Sequence, residues 1–159
     1  MANVVTIMQI DDLDRRLLRQ YQADPSLSAA ALAERAGITR ASAWRRLERM
    51  QASGIIAGLR GVIDWRALGY GVEVSLRLTL DKSQNNAFDT VIAQARQIPE
   101  VIEIQTFLGR VDLRLSVIAR DMAHYQELYR TRILSLPHIA EIEALMQVAT
   151  LKEDERLPL

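Results

Sequence analysis

The chain has 159 residues, of which 49% are apolar, and its 20 basic side chains balance its 20 acidic ones, so bulk charge indicates no particular partner. It contains no cysteine, which excludes a disulfide scaffold, a thiolate zinc site and a cysteine nucleophile. The start of the chain has no basic segment before its apolar residues, and no apolar run approaches the roughly 20 residues that a membrane helix needs. We therefore expect a cytoplasmic protein without a signal peptide or membrane span.

The first third of the chain is typical of three short helices. Leucines recur at helical spacing after an acidic pair, and a second helix is predicted from the capping residue Ser28 to a stop at Gly37. A third helix is predicted from the capping residue Thr39 to Gly54. Short helices joined by a glycine turn indicate a helix-turn-helix, so we assign residues 1–54 to a DNA-binding domain.

The third helix concentrates positive charge, because residues 39–60 hold five arginines and the single acid Glu48. Steps of three between Trp44, Leu47 and Met50 predict a stripe that packs on the first two helices. An ordinary solvated face is the alternative to a DNA surface, but the preceding turn favours DNA. The residues that we expect to contact DNA are Arg40, Ser42, Ala43, Arg45, Arg46 and Arg49.

These residues differ in their expected roles. Arg45, Arg46 and Arg49 include phosphate contacts, which position a protein without reading the sequence. Arg40 and the nearby Ser42 lie in the turn that enters a major groove in this motif, so we assign base readout to them. The small side chain of Ala43 permits close approach.

The sequence pattern of residues 55–71 predicts a linker. Apolar residues are interrupted by three glycines, which favours an extended strand or hairpin over a helix. A short turn in "DWRALGYG" then leads into the next domain.

Residues 72–159 predict a second domain with the order β-α-β-β-α-β. Strict alternation over 72–80 indicates a half-buried strand, and a helical stripe follows over 88–98. Two strands flank Gly109, Asp121 caps another helix, and "IAEIEALMQVATL" supplies the last strand. This order is an antiparallel sheet with two helices on one face, so the overall fold class is α+β. An apolar open face on such a sheet would favour dimerisation.

The chain resembles the Lrp/AsnC family of feast/famine transcriptional regulators over nearly its full length. The matching stretches are "LDRRLLRQYQADPSLSAAALAERAGITRASAWRRLERMQASGIIAG", "VIDWRALGY", "LGRVDLRLSVIARDMAHYQELY" and "LPHIAEIE". The resemblance implies a winged helix-turn-helix that binds double-stranded DNA, a linker strand and a ferredoxin-like effector-binding domain. It also implies a homodimer that assembles to tetramers or octamers, and a small-molecule effector, commonly an amino acid.

Within the family, "GRVD" corresponds to a Gly-x-x-Asp hairpin that lines the effector pocket, which assigns Gly109 and Asp112 to that site. A glycine turn exposes backbone N–H groups to a carboxylate, and an aspartate pairs with an ammonium. The alternative is a hairpin that simply requires glycine, with Asp112 bonding to its own turn.

The chain departs from the family at several of these positions. Arg110 and Val111 replace an acidic or polar residue and an aromatic one, while His138 replaces the usual glycine. "EALM" has Ala144 and Leu145 where members often have a hydroxyl. These differences argue against an ordinary neutral amino acid, and Arg110 favours an acidic or anionic effector. Pairing of Arg110 with Asp112, or with water, is the alternative.

Two other functional classes compete with regulation. Some relatives with this architecture resemble siroheme decarboxylases, which use histidine and arginine around the middle strands to act on a tetrapyrrole. Here "VIEIQTFLGRVD" contains no histidine, and His124 and His138 lie elsewhere. No metal-binding histidine pair, P-loop or nucleophile elbow is present, so we expect no catalysis, metal or cofactor. The other rival is an oligomerisation module without DNA binding, which the arginines of the third helix argue against.

Overall fold

The computed structural model describes residues 9–83, 86–152 and 156–159. They divide into two compact units. The first comprises the described residues up to Val62 together with 156–159, and the second runs from Ile63 to Lys152. Residues 1–8, on which the expectation about a signal peptide depends, lie outside the described residues.

The first unit consists of three helices, α1 (Asp12–Ala23), α2 (Ala29–Ala36) and α3 (Arg40–Ala52). The predicted caps Ser28 and Thr39 are formed, and Asp11 caps α1 in the same way: each side chain accepts a backbone N–H group from the first turn of its helix. Gly37 ends α2 with φ of 68°, a left-handed conformation that glycine adopts without strain. The predicted helix-turn-helix is therefore confirmed.

The core of the first unit is formed by apolar side chains from all three helices. Its fully buried members include Leu17, Leu32, Ala43 and Met50. Burying a leucine or methionine side chain contributes about 1.5–3 kcal/mol, which compensates for the modest stability of short helices in isolation.

The second unit has the predicted β-α-β-β-α-β order. Its elements are β1 (Val72–Leu80), α4 (Ala87–Ala95), β2 (Val101–Thr106), β3 (Leu113–Ala119), α5 (Met122–Leu128) and β4 (Ile139–Met146). The sheet is antiparallel with strand order β2-β3-β1-β4. A single π-helical turn, Tyr129–Ile133, extends α5.

The register of the sheet separates an apolar face from a polar one. Leu76 of β1 pairs with Leu115 of β3, and both are fully buried in the core that includes residues of α4 and α5. The neighbouring pairs Ser75–Ser116 and Arg77–Arg114 belong to the other face. Because side chains alternate along a strand, the polar residues of β1 and β3 collect on this open face. It is not the apolar surface that would by itself favour dimerisation.

The linker forms no strand pairing within its own chain. Residues 57–64 have no regular secondary structure, and a turn follows at 65–69, so no hairpin forms over 55–71 in the described chain. A strand requires a neighbouring backbone to satisfy its N–H and C=O groups. None of the pairings in the described sheet involves the linker, whose Leu59, Val62 and Ile63 are exposed.

The last four residues also differ from the expected domain division. They were assigned to the second domain, but Leu159 packs against the core of the first unit. Gln22 of α1 donates a 2.9 Å bond to the carbonyl of Leu157 and accepts a 2.9 Å bond from its N–H. These residues join the first unit because its apolar core contacts Leu159 and because the Gln22 amide satisfies both backbone groups of Leu157.

His138, at the start of β4, has φ of 57°. This left-handed conformation costs most residues about 1–2 kcal/mol relative to the right-handed one, and glycine least. Glycine would therefore adopt this conformation with less strain than His138 does.

Candidate DNA-binding surface and effector cleft

The N-terminal half of α3 presents the candidate DNA-binding surface. Thr39 caps the helix by accepting the N–H of Ser42 at 3.2 Å. Arg40 and Arg45 are exposed, and neither has an ion pair with a carboxylate in the part of the chain that the structure describes. These two guanidinium groups are therefore available to an external anion.

Arg46 and Arg49 instead face carboxylates of α1. Arg46 Nη1 lies 2.8 Å from Asp11 Oδ2 and 2.7 Å from Asp14 Oδ1. Arg49 Nη2 lies 2.6 Å from Asp14 Oδ2. We call these four residues the α1–α3 ion cluster. It joins the start of α1 to the middle of the arginine-rich helix.

Asp14 is the centre of this cluster. It is fully buried and also forms a capping box, in which its N–H donates to Asp11 Oδ1 and its Oδ2 accepts the N–H of Asp11. Bonds from the Asp14 N–H and then from Arg46 hold the pKa of Asp11 below its usual value. Hydrogen bonds to Asp11 and Asp14 raise the pKa of Arg46. Both groups remain charged throughout the physiological range.

Two sequence interpretations of α3 are wrong. The predicted stripe included Trp44, but the residue is 57% exposed, whereas Ala43 is fully buried with Met50. On a helix the face that packs follows steps of three and four, so 43, 47 and 50 share it and 44 lies at its margin. Ala43 therefore contacts the core of its own unit and is not placed to touch DNA.

Four of the five remaining predicted residues come together. Ser42, Arg45, Arg46 and Arg49 line a groove of about 260 Å³, and Arg40 lies outside it. Arg46 Nε donates to Ser42 Oγ at 3.4 Å, so a member of the ion cluster also lines the groove. Three guanidinium groups and a hydroxyl suit the oxygens of a phosphate.

The second unit has a larger cleft of about 690 Å³ on the open face of its sheet. We call it the sheet cleft. It is lined by Ser75, Arg77, Phe107, Leu108, Gly109, Arg110, Val111, Arg114 and Leu145. Two of the predicted effector residues, Gly109 and Arg110, are in this lining, whereas Asp112 is not.

Asp112 has a structural role that the sequence interpretation missed. It is 3% exposed, its Oδ2 accepts the N–H of Leu80 at 2.9 Å, and its Oδ1 lies 2.9 Å from Lys82 Nζ. Burial alone would raise the pKa of this carboxyl, but the Leu80 N–H and Lys82 hold it below its usual value. Both carboxylate oxygens are therefore engaged at the end of β1, and Asp112 forms no ion pair with Arg110 among the described residues.

Arg114 is the cleft residue that sequence reasoning overlooked. Its Nε donates to Ser75 Oγ at 2.9 Å, its Nη1 to Gln105 Oε1 at 3.0 Å and its Nη2 to Ser116 Oγ at 3.3 Å. The alternation that marks Leu113 and Leu115 as core was the available signal, because it places the residue between them on the opposite face.

The two histidines lie away from the sheet cleft. His124 Nδ1 accepts the N–H of Arg120 at 3.1 Å and its Nε2 is 3.7 Å from Glu100, while His138 occupies the turn before β4. Within residues 9–83, 86–152 and 156–159, no three metal-ligating side chains cluster together. Over the same residues, no helix is long and apolar enough to span a bilayer.

Comparison with protein families gives two matches in chain order. Residues 10–57 match a family described as winged helix-turn-helix DNA-binding. Residues 73–157 match the Lrp/AsnC ligand binding domain. The first match contains the groove on α3 and the second contains the sheet cleft.

Individual relatives match over nearly the whole chain. The DNA-binding transcriptional activator DecR of Escherichia coli K12 is 27% identical over 150 residues, which cover 94% of this chain and 99% of the relative. A crystal structure of a transcriptional regulator–L-methionine complex from Neisseria meningitidis has a TM-score of 0.85 at 21% identity, covering 94% of this chain and 97% of that one. A feast or famine regulatory protein from M. tuberculosis, complexed with L-methionine, has a TM-score of 0.78 at 25% identity, covering 94% and 99%.

Proposed function

Because the chain belongs to the Lrp/AsnC family, we propose that it is a transcriptional regulator that binds double-stranded DNA through its first unit and a small-molecule effector through its second. The observation that carries the DNA-binding half is the groove on α3, which brings Ser42, Arg45 and Arg49 together at an exposed helix face. The name of the DecR relative supports the same activity.

We assign different roles to the arginines of α3. Arg40 and Arg45 are exposed on the helix that enters a major groove in this motif, so they are the candidates for base and phosphate contacts. Arg46 is held by two aspartates, and its first task is to orient α3 on α1. Arg49 shares Asp14 but is about half exposed, so it serves both the cluster and a phosphate.

The effector half of the proposal depends on the sheet cleft. The two related structures that contain L-methionine support a small-molecule site in this type of protein. In this chain the cleft has arginines, a serine hydroxyl and apolar walls, a combination suited to a small carboxylate with an apolar portion. Gly109, which has φ of 155°, and the exposed Arg110 both line this cleft, which supports their assignment to the effector site.

We further propose a homodimer that assembles to larger oligomers. Leu59, Val62 and Ile63 are exposed in a linker whose backbone has no strand partner in the described chain, and a second copy would cover them. A regulator of this kind acts on DNA in the cytoplasm, without catalysis, metal or cofactor. Sedimentation at micromolar concentration tests the assembly, since a single 18.0 kDa species would contradict it.

Selection of bound fragments from genomic DNA tests DNA binding directly. We expect a small set of enriched sites, and binding that weakens steeply with salt because arginines displace counterions from phosphates. Recovery of no fragment above background, together with no shift of any duplex at low salt, would contradict the proposal and favour an oligomerisation module.

A further inference from the structure

The residues that line the sheet cleft carry an excess of positive charge. Three of its lining residues, Arg77, Arg110 and Arg114, carry guanidinium groups, and none of its lining residues is acidic. Arg77 is partly offset by Glu143 outside the cleft, at 3.3 Å with both side chains about half exposed. The other two have no ion pair with a carboxylate among the described residues.

Arg114 is the clearest case of a positive charge in the cleft that no carboxylate in the described part of the chain neutralises. It is part-buried, and its three bonds go to the hydroxyls of Ser75 and Ser116 and the amide oxygen of Gln105. These neutral acceptors fix the plane of the guanidinium without neutralising its charge. A part-buried cation held in this way attracts a carboxylate strongly, because water screens it less than at the surface.

The cleft lining has no carboxylate that could pair with an ammonium group of a ligand. Asp112, the one carboxylate of the hairpin, is buried against the Leu80 N–H and Lys82 and does not line the cleft. The α-ammonium of an amino acid would therefore lie among guanidinium groups without a partner. The ammonium and the guanidinium groups would repel each other because both are positive. Removing an unpaired charge partly from water is also unfavourable.

The rest of the lining specifies the non-ionic part of the ligand. Phe107, Val111 and Leu145 form apolar walls beside the arginines. We propose that the sheet cleft binds a carboxylate with an apolar side chain and no α-ammonium group, such as a branched 2-oxo acid, in preference to the corresponding amino acid. The inference rests on the proposed effector function and specifies its ligand class.

Three probes with the same apolar chain separate the carboxylate from the ammonium: 4-methylpentanoate, 2-oxo-4-methylpentanoate and L-leucine. Calorimetric titration of the full chain at neutral pH measures the Kd of each. We expect both anions to bind, and L-leucine to bind at least about tenfold more weakly than 2-oxo-4-methylpentanoate. Equal or tighter binding of L-leucine overturns the proposal, and so does the absence of binding by all three at millimolar concentration.

Variants then locate the site. Arg110→Gln and Arg114→Gln should each weaken binding of the two anions about tenfold or more. Arg96→Gln is the matched control, because Arg96 is exposed at the end of α4 on the other side of the sheet and loses the same charge. Because Arg110 contributes only its backbone to the described hydrogen bonds, Arg110→Gln tests the site even if Arg114→Gln fails to fold.

The proposal is overturned if Arg110→Gln binds the anions with unchanged affinity, or if Arg96→Gln loses as much affinity as the cleft variants. Either result would show that the anions bind elsewhere. DNA binding measured without any probe distinguishes this failure from that of the proposed function. A protein that shifts duplex DNA but binds no carboxylate in the cleft remains a regulator with a different effector. A protein that binds the carboxylate but no DNA loses the regulatory function and retains the ligand class.

Discussion

Arginines in the two units have different partners, and this decides what their charge can do. On α3, Arg46 and Arg49 face the carboxylates of Asp11 and Asp14 within hydrogen-bonding distance. In the sheet cleft, Arg114 faces two hydroxyls and an amide. The first group joins two helices, whereas the charge of Arg114 is not neutralised by any carboxylate among the described residues. The number of arginines in a stretch of sequence therefore overstates the charge available to DNA and understates the importance of a lone arginine on a strand.

Removing the carboxylate of Asp14 should have the largest effect on stability. In Asp14→Ala, Arg46 and Arg49 lose a buried partner, and we expect the first unit to lose about 3 kcal/mol of unfolding free energy. The value is at the lower end for a broken buried pair, because both guanidinium groups can still reach water. Native-state hydrogen exchange of the α1 and α3 amides measures the change locally.

Asp12→Ala is the matched control for Asp14→Ala. Asp12 lies in the same first turn but is exposed, so its removal should change stability by less than about 0.5 kcal/mol. Similar losses in both variants would mean that helix-dipole effects, and not the α1–α3 ion cluster, account for the stability.

Asp112→Ala should destabilise the second unit by about 2 kcal/mol, since the buried N–H of Leu80 loses its acceptor. Lys82 is exposed and contributes little. Because the folded protein holds the pKa of Asp112 below its usual value, this carboxylate stabilises the fold at pH above about 4 and ceases to do so as the pH falls through the lowered pKa. The difference between wild type and variant should therefore shrink in acid.

Urea unfolding of both proteins between pH 7 and pH 3 measures this pH dependence. If the difference in unfolding free energy between wild type and Asp112→Ala stays constant over that range, the packing of the Asp112 side chain, and not its charge, stabilises the hairpin. Loss of carboxylate-probe binding in Asp112→Asn, with stability preserved, would instead return this residue to the effector site.

The pair Arg45→Ala and Arg46→Ala tests the division of labour on α3. Arg45→Ala should leave stability unchanged and reduce the dependence of DNA affinity on salt by about one unit of slope, as expected for one lost phosphate contact. Arg46→Ala should instead lower the stability of the first unit by about 1 kcal/mol, because Asp14 loses one of its two cations. Fluorescence anisotropy across a salt series, with thermal unfolding in parallel, measures both. The reverse pattern would mean that Arg46 leaves the cluster to contact phosphate.

Local sequence signals predicted most of the fold, because each depends on a short-range rule. The caps at Ser28 and Thr39, the left-handed Gly37 and the alternation in β1 follow from neighbours within four residues. The ion cluster joins positions 32–35 residues apart, and the bond from Asp112 to Leu80 spans 32 residues, so no local pattern indicated either. The linker depends on distant contacts in the same way, because a strand forms only where another backbone lies beside it, and none of the described pairings supplies one.

The smallest expected effect concerns Trp44, for which the sequence and the structure give opposite predictions. If the ring were buried, as spacing from Leu47 and Met50 suggested, Trp44→Ala would cost about 3–5 kcal/mol. The structure leaves it 57% exposed, with Ala43 in the core position instead, so we expect a change within about 0.5 kcal/mol. Thermal unfolding of Trp44→Ala beside Leu47→Ala separates the two, because Leu47 is buried and should cost about 2–5 kcal/mol in the same helix. A comparable loss in both variants would show that the ring is covered in solution. The exposed ring would then belong to an interface with a second copy, and the loss in Trp44→Ala would grow with protein concentration.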